Sequence, residues 1–397
     1  MGAGPPPVPL PLSSPGEFRL IAIRPVRSRA DLKTFITLPR ILYRGMPGYV
    51  APLDFERRQL LDPKLSAYFT HAEAQYFLAY RGDEPVGRIS AQVDREAIKS
   101  WGEQIGCFGC LDTIDDAAVV RALCDAAAEW LRARGMIAMR GPFTLSINNE
   151  SGVQVSGQER GAMILMPWHP PYLAERVAQA GLEPAKDLLA FTMKLSEYVR
   201  PERFLKRAER SLPKGLTLRE LDLRNFDRDA KIIGAVYNDA WQNNWSFVPI
   251  TEAESVAFAE GFKRLLTPEM GLIAEVDGKP IAVGVVLPNL FDVTSEFDGR
   301  LLPFNWLRFL TRAFRKSSYR NCRVTLLGRI QEVRNIGGLL ALLIIDTLIQ
   351  RNPRFRAGEV EMGWVLEDNR MLINLMQTIG IGDASKRYRV FEKRLTA

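Results

Sequence analysis

The stretch VTLLGRIQEVRNIGGLLALLIIDTLI, residues 324–349, decides how the chain reads. CRVTLLGRI, residues 322–330, predicts a strand, and the apolar run that starts at Gly337 predicts a helix. That run is too short for a membrane span and carries Asp346, so a buried helix fits it best. The short loop between them holds Arg329, Arg334 and the pair Gly337-Gly338. Such a loop offers backbone N–H groups at a helix N-terminus, glycines that permit close approach, and arginines that add charge. Binding a pyrophosphate needs these three things. The plainer alternative is an ordinary strand–helix turn with a glycine for packing, and spacing alone leaves both open.

The elements around this loop fall into an order that occurs twice. In the later segment LTLRELD (216–222) predicts a strand, KIIGAVYNDAW and ESVAFAEGFKRLL predict helices, and GLIAEVDGKPIAVGVVL (271–287) predicts a hairpin turning at Asp277-Gly278. After the loop come the strand EVEMGWV, the helix NRMLINLMQTIG and the strand RYRVFEKRL. The earlier segment runs FRLIAIRPV, ADLKTFITLPRIL, AQYFLAY, VGRISAQV, GCFGCL, and then a helix capped by Asp115 or Asp116 and stopped at Gly135. A strand, a helix and a closing strand complete it. The result is an α/β chain of two mixed units, 18–195 and 216–397, joined by a charged linker over 196–215. Residues 1–17, rich in proline, predict an extended disordered tail and hold no targeting signal.

The loop, and the strand and helix after it, resemble the GNAT (Gcn5-related) acyltransferase superfamily. Its signature Arg/Gln-x-x-Gly-x-Gly/Ala is met by Arg334 and Gly337, while Leu339 stands where the last small residue belongs. MGWVLEDNRMLINLMQTIG (362–380) is similar to the strand–Asn–helix–Gly segment of the family, with Asn369 at the common Asn and Met376 where a catalytic Tyr is frequent. The resemblance implies two tandem GNAT-like domains with acyl-CoA as co-substrate. It implies backbone N–H groups of Leu327, Gly328, Arg329 and Ile330 near the thioester, and Arg334, Gly337, Gly338 and Asn369 holding the cofactor end. Glu361 and Glu332 become the candidate general bases, and Trp241, Asn244 and Trp245 the candidate acceptor contacts. The first unit carries Asp112, Asp115 and Asp116 in place of the glycine pair, so it reads as a degenerate partner that shapes the acceptor site.

Other segments, among them VGRISAQVD, GPFTLSINNESG and AWQNNWSFVPITEAE, resemble a bacterial group of GNAT-type N-acyltransferases that includes ceramide-forming enzymes. The acceptor this implies is a lipid long-chain base. The alternatives are a GNAT acetyltransferase acting on a small polar amine or peptide, and a non-catalytic GNAT-like binding module.

GRLLPFNWLRFLTRAFRKSSYRNCR (299–323) interrupts an expected hairpin with a basic amphipathic segment. Peripheral membrane contact through 303–320 is one reading, and a helix packing on its own domain is the other. The whole chain supports these limits. It has 397 residues, with 53 Lys+Arg against 46 Asp+Glu, only two His, and four Cys. A His-rich metal centre, a disulfide framework and wholesale disorder do not fit, and no metal is expected. No nucleic-acid module appears. The expected setting is cytoplasmic, with contact at the inner membrane. Cys107 and Cys110 share CxxC spacing, but no second pair follows, so they read as structural. His169, in a proline-rich loop, reads the same way, while Asn148, Asn149 and Glu150 are loop polar residues at the edge of the expected cleft.

Overall fold

A computed structural model describes residues 20–395 apart from 314, 316, 317 and 379, and leaves out the side chains of Arg334 and Thr378. The expected tail, 1–17, lies outside the described residues.

The first half runs β1 (Ile21–Pro25), α1 (Arg29–Leu42), α2 (Asp54–Leu61), β2 (Ala72–Arg81), β3 (Glu84–Asp94), α3 (Arg95–Trp101), β4 (Ile105–Thr113), α4 (Ala117–Arg132), β5 (Ala138–Gly141), β6 (Val153–Ser156), α5 (Leu173–Gln179) and β7 (Glu183–Lys194). The second runs α6 (Glu202–Ser211), β8 (Leu216–Glu220), α7 (Phe226–Trp241), α8 (Glu252–Phe262), β9 (Gly271–Val276), β10 (Lys279–Pro288), α9 (Phe291–Thr294), α10 (Asn305–Ala313), β11 (Cys322–Arg329), α11 (Gly337–Arg351), β12 (Glu359–Leu366), α12 (Arg370–Thr378) and β13 (Lys386–Arg394). Local chemistry sets several of these ends. Asp116 accepts the N–H groups of Ala118 and Val119 and so starts α4, a cap worth about 1 kcal/mol. Asp277 and Gly278, both at positive φ, make the two-residue turn between β9 and β10. The stretch 196–215, read as a linker, is more than a tether: α6 forms within it and buries Leu205 and Ala208.

All strands join one mixed sheet, in the order β1-β2-β3-β4-β5-β13-β7-β12-β11-β10-β9-β8, with β6 beside β13. The two halves exchange their last strands. β13, the end of the second half, lies between β5 and β7, and β7, the end of the first, lies between β13 and β12. Each half therefore completes the other's sheet, which fixes their relative placement. A buried ion pair spans the exchange, with Lys386 Nζ on β13 2.7 Å from Glu361 Oε2 on β12 and also donating to the Gly161 carbonyl.

The two halves open their sheets in the same way. β4 and β5 are parallel for three residue pairs, from Ile105↔Ala138 to Cys107↔Arg140, and then part. β11 and β12 are parallel for three pairs, from Cys322↔Val360 to Val324↔Met362, and then part. In the first half the gap is filled by the chain itself. Phe143 N–H donates to the Phe108 carbonyl, Gln92 Nε2 donates to the carbonyls of Phe143 and Leu145, and a Cβ on Gly109 would fall 1.7 Å from the Phe143 oxygen. In the second half a cavity lies there.

Candidate active site

The cavity has a volume of about 730 Å³ and follows β11 along its length, from Arg323 through Val324, Thr325 and Leu326 to Arg329. Its size falls within the usual range of ligand sites, roughly 300–1,000 Å³. Most of its wall is apolar. Phe226, Ile233, Phe258 and Phe262 come from α7 and α8, and Leu340, Ile344, Leu372 and Leu375 from α11 and α12. At one end lie Gly337 and Gly338, the start of α11, where no side chain caps the helix. Backbone N–H groups there have no intrahelical partner. A Cβ on Gly337 would fall 2.0 Å from Arg329 Nε, so glycine at 337 is what lets this arginine lie against the helix start.

Leu327, Gly328, Arg329, Gly337, Gly338 and Asn369 all line the cavity, as do Trp241, Asn244 and Trp245. Gly328 allows Trp241 to lie flat on β11, since a Cβ there would fall 2.3 Å from the indole. Trp241 in turn stacks on Tyr237 at 4.9 Å. Asn369 accepts the Leu372 N–H and so also starts α12. Ile330 departs from the expectation: it is not on the cavity wall, and its N–H is committed to the Ile281 carbonyl. Gln331 N–H is likewise held by Asp239 Oδ2, at 2.5 Å, which ties the loop to the end of α7. The backbone of Arg334 lies in the 3-10 turn Gln331–Ile336, and its side chain lies outside the described residues.

Neither candidate base lies on the cavity wall. Glu332 is exposed and paired with Lys279 at 2.7 Å. Glu361 is buried, with Oε2 2.7 Å from Lys386 Nζ, while its neighbour Met362 lies on the wall. Among the described residues the cavity wall holds no carboxylate, no histidine and no lysine. Its ionisable groups are Arg323, Arg329 and Tyr237. Burial raises the Tyr237 phenol above its ordinary pKa, and its O–H donates to Asn148 Oδ1 at 2.6 Å. Arg323 is buried and donates to the carbonyls of Ile164, Leu165 and Gly363, with its ring neighbour Trp364 at 5.3 Å. Burial draws its pKa down, but a guanidinium starts so high that it stays charged. Neither Arg323 nor Tyr237 stands out in the sequence, although one arginine inside the apolar strand CRVTLL is a signal.

The first half contributes Asn148 and Asn149 to the wall, while Glu150 is turned away into a buried pair with Arg57. The α7–α8 loop is pinned to the first half: Ser100 Oγ and Trp101 Nε1 donate to the Phe247 carbonyl, and Asn148 Nδ2 donates to the Val248 carbonyl. His71 bridges the halves too, with Nδ1 3.0 Å from Asp94 and Nε2 3.1 Å from Glu254. The three carboxylates of the first half's counterpart loop are all paired, Asp112 with Arg88, Asp115 with Arg176 and Asp116 with Arg81. His169 is buried and its pKa lowered by that burial, and Nδ1 accepts the Gln154 N–H. Cys107 and Cys110 pack into different parts of the core. Among the described residues no group of three or more His, Cys, Asp or Glu is placed to hold a metal ion.

Two units of the same order, a parted strand pair and a glycine-started helix beside it define a tandem GNAT fold. A tandem GNAT protein from the clavulanic acid biosynthesis pathway is similar in fold, with a TM-score of 0.57 over 95% of this chain and 99% of that one at 14% identity. The bacterial ceramide synthase of Caulobacter vibrioides is 36% identical over 378 residues, 94% of this chain and 98% of that protein, and the chain belongs to its family. Protein YghO of Escherichia coli is 35% identical over 375 residues, 94% of this chain and 95% of that protein. No family model matches the chain.

Proposed function

We propose that the chain is an N-acyltransferase that moves an acyl group from acyl-CoA to the amine of a lipid long-chain base, forming a ceramide-type amide. The observation that carries this reading is the cavity itself: about 730 Å³, largely apolar, continuous along β11 with the glycine-started helix, and without a carboxylate among the described residues of its wall. A small polar amine or a lysine peptide calls for an acidic cleft, and a binding module that had lost catalysis has no use for an open cavity here. The family relationship supports the same acceptor.

The start of α11, with Gly337, Gly338 and Arg329, takes the pyrophosphate of acyl-CoA through backbone N–H groups and one guanidinium. The edge of β11 beyond Val324, parted from β12, offers main-chain N–H groups to the thioester oxygen as it gains charge. The amine lone pair forms the C–N bond, the C–S bond breaks, and the amine proton ends on the departing thiolate. With no carboxylate on the wall, the amine enters in its neutral form. Apolar surroundings and the cation Arg323 disfavour an ammonium, so the site lowers the acceptor's own pKa instead of supplying a base. Trp241, Asn244 and Trp245 border the acceptor. The lipid substrate brings the protein to a membrane surface, with the 303–320 segment as the point of contact. Supplying acyl-CoAs of graded length with sphinganine, and reading products by mass spectrometry, tests the proposal; acetylation of polar amines alone would overturn it.

A further inference from the structure

The segment between β10 and β11 leaves large apolar side chains in solvent. Leu302 is 74% exposed and Phe304 79%, and Trp306, Leu307 and Leu310 on α10 are exposed as well. Soluble surfaces carry scattered apolar residues, but five within nine positions form a patch that calls for a partner. The base of the segment is docked on the first half. Arg40 Nη1 donates to the Asp298 carbonyl at 2.9 Å, and Asp54 N–H donates to the Gly299 carbonyl at 2.9 Å. Ile41 and Phe55, which follow Arg40 and Asp54 in α1 and α2, are 60% and 58% exposed.

The charges point to the partner. Three carboxylates of this region are consumed internally: Asp54 pairs with Arg40, Asp298 with Arg44 and Glu296 with Arg312. Arg300, Arg308 and Arg315 are exposed, with no carboxylate in ion-pair reach among the described residues. An apolar face ringed by unpaired arginines and carrying a tryptophan suits the interface of an anionic bilayer, where aromatic rings sit at headgroup depth and each arginine adds attraction. Position agrees with this. Leu287, near the end of β10, and Arg323, near the start of β11, line the cavity at the end away from Gly337. Eight residues of β11, about 25 Å of strand, separate the segment from the acyl-CoA loop.

We infer that Ile41 and Phe55 of the first half and Leu302–Leu310 of the second form one docking face for an anionic lipid surface. The inference rests on the proposed lipid acceptor, but vesicle binding is measured apart from activity. The full chain is sedimented with vesicles of phosphatidylcholine alone or of equal parts phosphatidylcholine and phosphatidylglycerol. At least tenfold tighter binding to the anionic vesicles is expected. Arg308→Gln should weaken it about fivefold. Phe304→Ser and, in the other half, Phe55→Ser should each weaken it fivefold or more, with turnover of a short-chain, water-soluble base unchanged. Equal binding to both vesicles overturns the choice of anionic lipid, and Phe55→Ser binding like the wild type overturns the two-part face. A dimer in sedimentation velocity that Phe304→Ser dissociates assigns the face to a second copy and overturns the membrane. Loss of short-chain turnover by the wild type strikes the acyltransfer reading alone.

Discussion

Gly337 and Arg329 are in closer contact than any side chain at 337 would allow: a Cβ there falls 2.0 Å from the guanidinium Nε. One glycine thus sets both the start of α11 and the direction of the arginine beside it. Gly337→Val is expected to lower acyl-CoA affinity at least a hundredfold by titration calorimetry. Gly261→Ala, whose Cβ would meet nothing, should leave it unchanged.

Catalysis should not depend on either expected base. Glu332→Gln is expected to keep kcat within about twofold, because the exposed side chain contacts Lys279 and not the cavity. The pH dependence of kcat/KM should then track the acceptor: a base with a less basic amine shifts the rise to lower pH. A rise that stays fixed when the acceptor is changed would indicate a titrating group on the protein.

The pair Glu361–Lys386 acts on stability. Lys386→Met leaves a buried carboxylate unpaired and should cost about 3–5 kcal/mol in denaturant unfolding. The double variant Glu361→Met with Lys386→Met should recover most of that loss.

His71 carries a pH signature. Its hydrogen bonds to Asp94 and Glu254 raise its pKa to about 10. A pKa raised above the unfolded value of about 6.5 means stabilisation that is full below pH 6.5 and lost as pH rises through 10. His71→Gln should therefore cost about 1.5–3 kcal/mol at pH 6 and little above pH 10, read as the difference between unfolding curves.

The parts of the fold that announce themselves locally are legible in the sequence. The Asp277-Gly278 hairpin, the Asp116 cap and the glycine-started helix each rest on a few adjacent residues. The strand exchange is not, because β7 and β13 carry the same pattern whichever half they complete. At the site, Leu327, Gly328, Arg329, Gly337 and Gly338 fall on the cavity wall, whereas Ile330, Glu332 and Glu361 do not. The strand position of Glu361 brings it close to the parting of β11 and β12, but its carboxylate is taken up by Lys386 of β13, a partner 25 residues away in sequence. Arg323 is hard to single out because an arginine alone in a strand most often points to solvent. Here the strand is covered on that side by the first half, and main-chain carbonyls of Ile164 and Leu165 take its charge.

The central claim is that this cavity receives acyl chains for transfer to a lipid amine. Ala259, on the cavity wall, offers the most direct measurement: the acyl-length profile of product amides formed on sphinganine by the wild type and by Ala259→Trp. Long-chain amides are expected from the wild type, and a shift of at least several carbons toward shorter chains in the variant, with acyl-CoA affinity retained. Identical profiles, or wild-type transfer confined to acetyl groups, would contradict it.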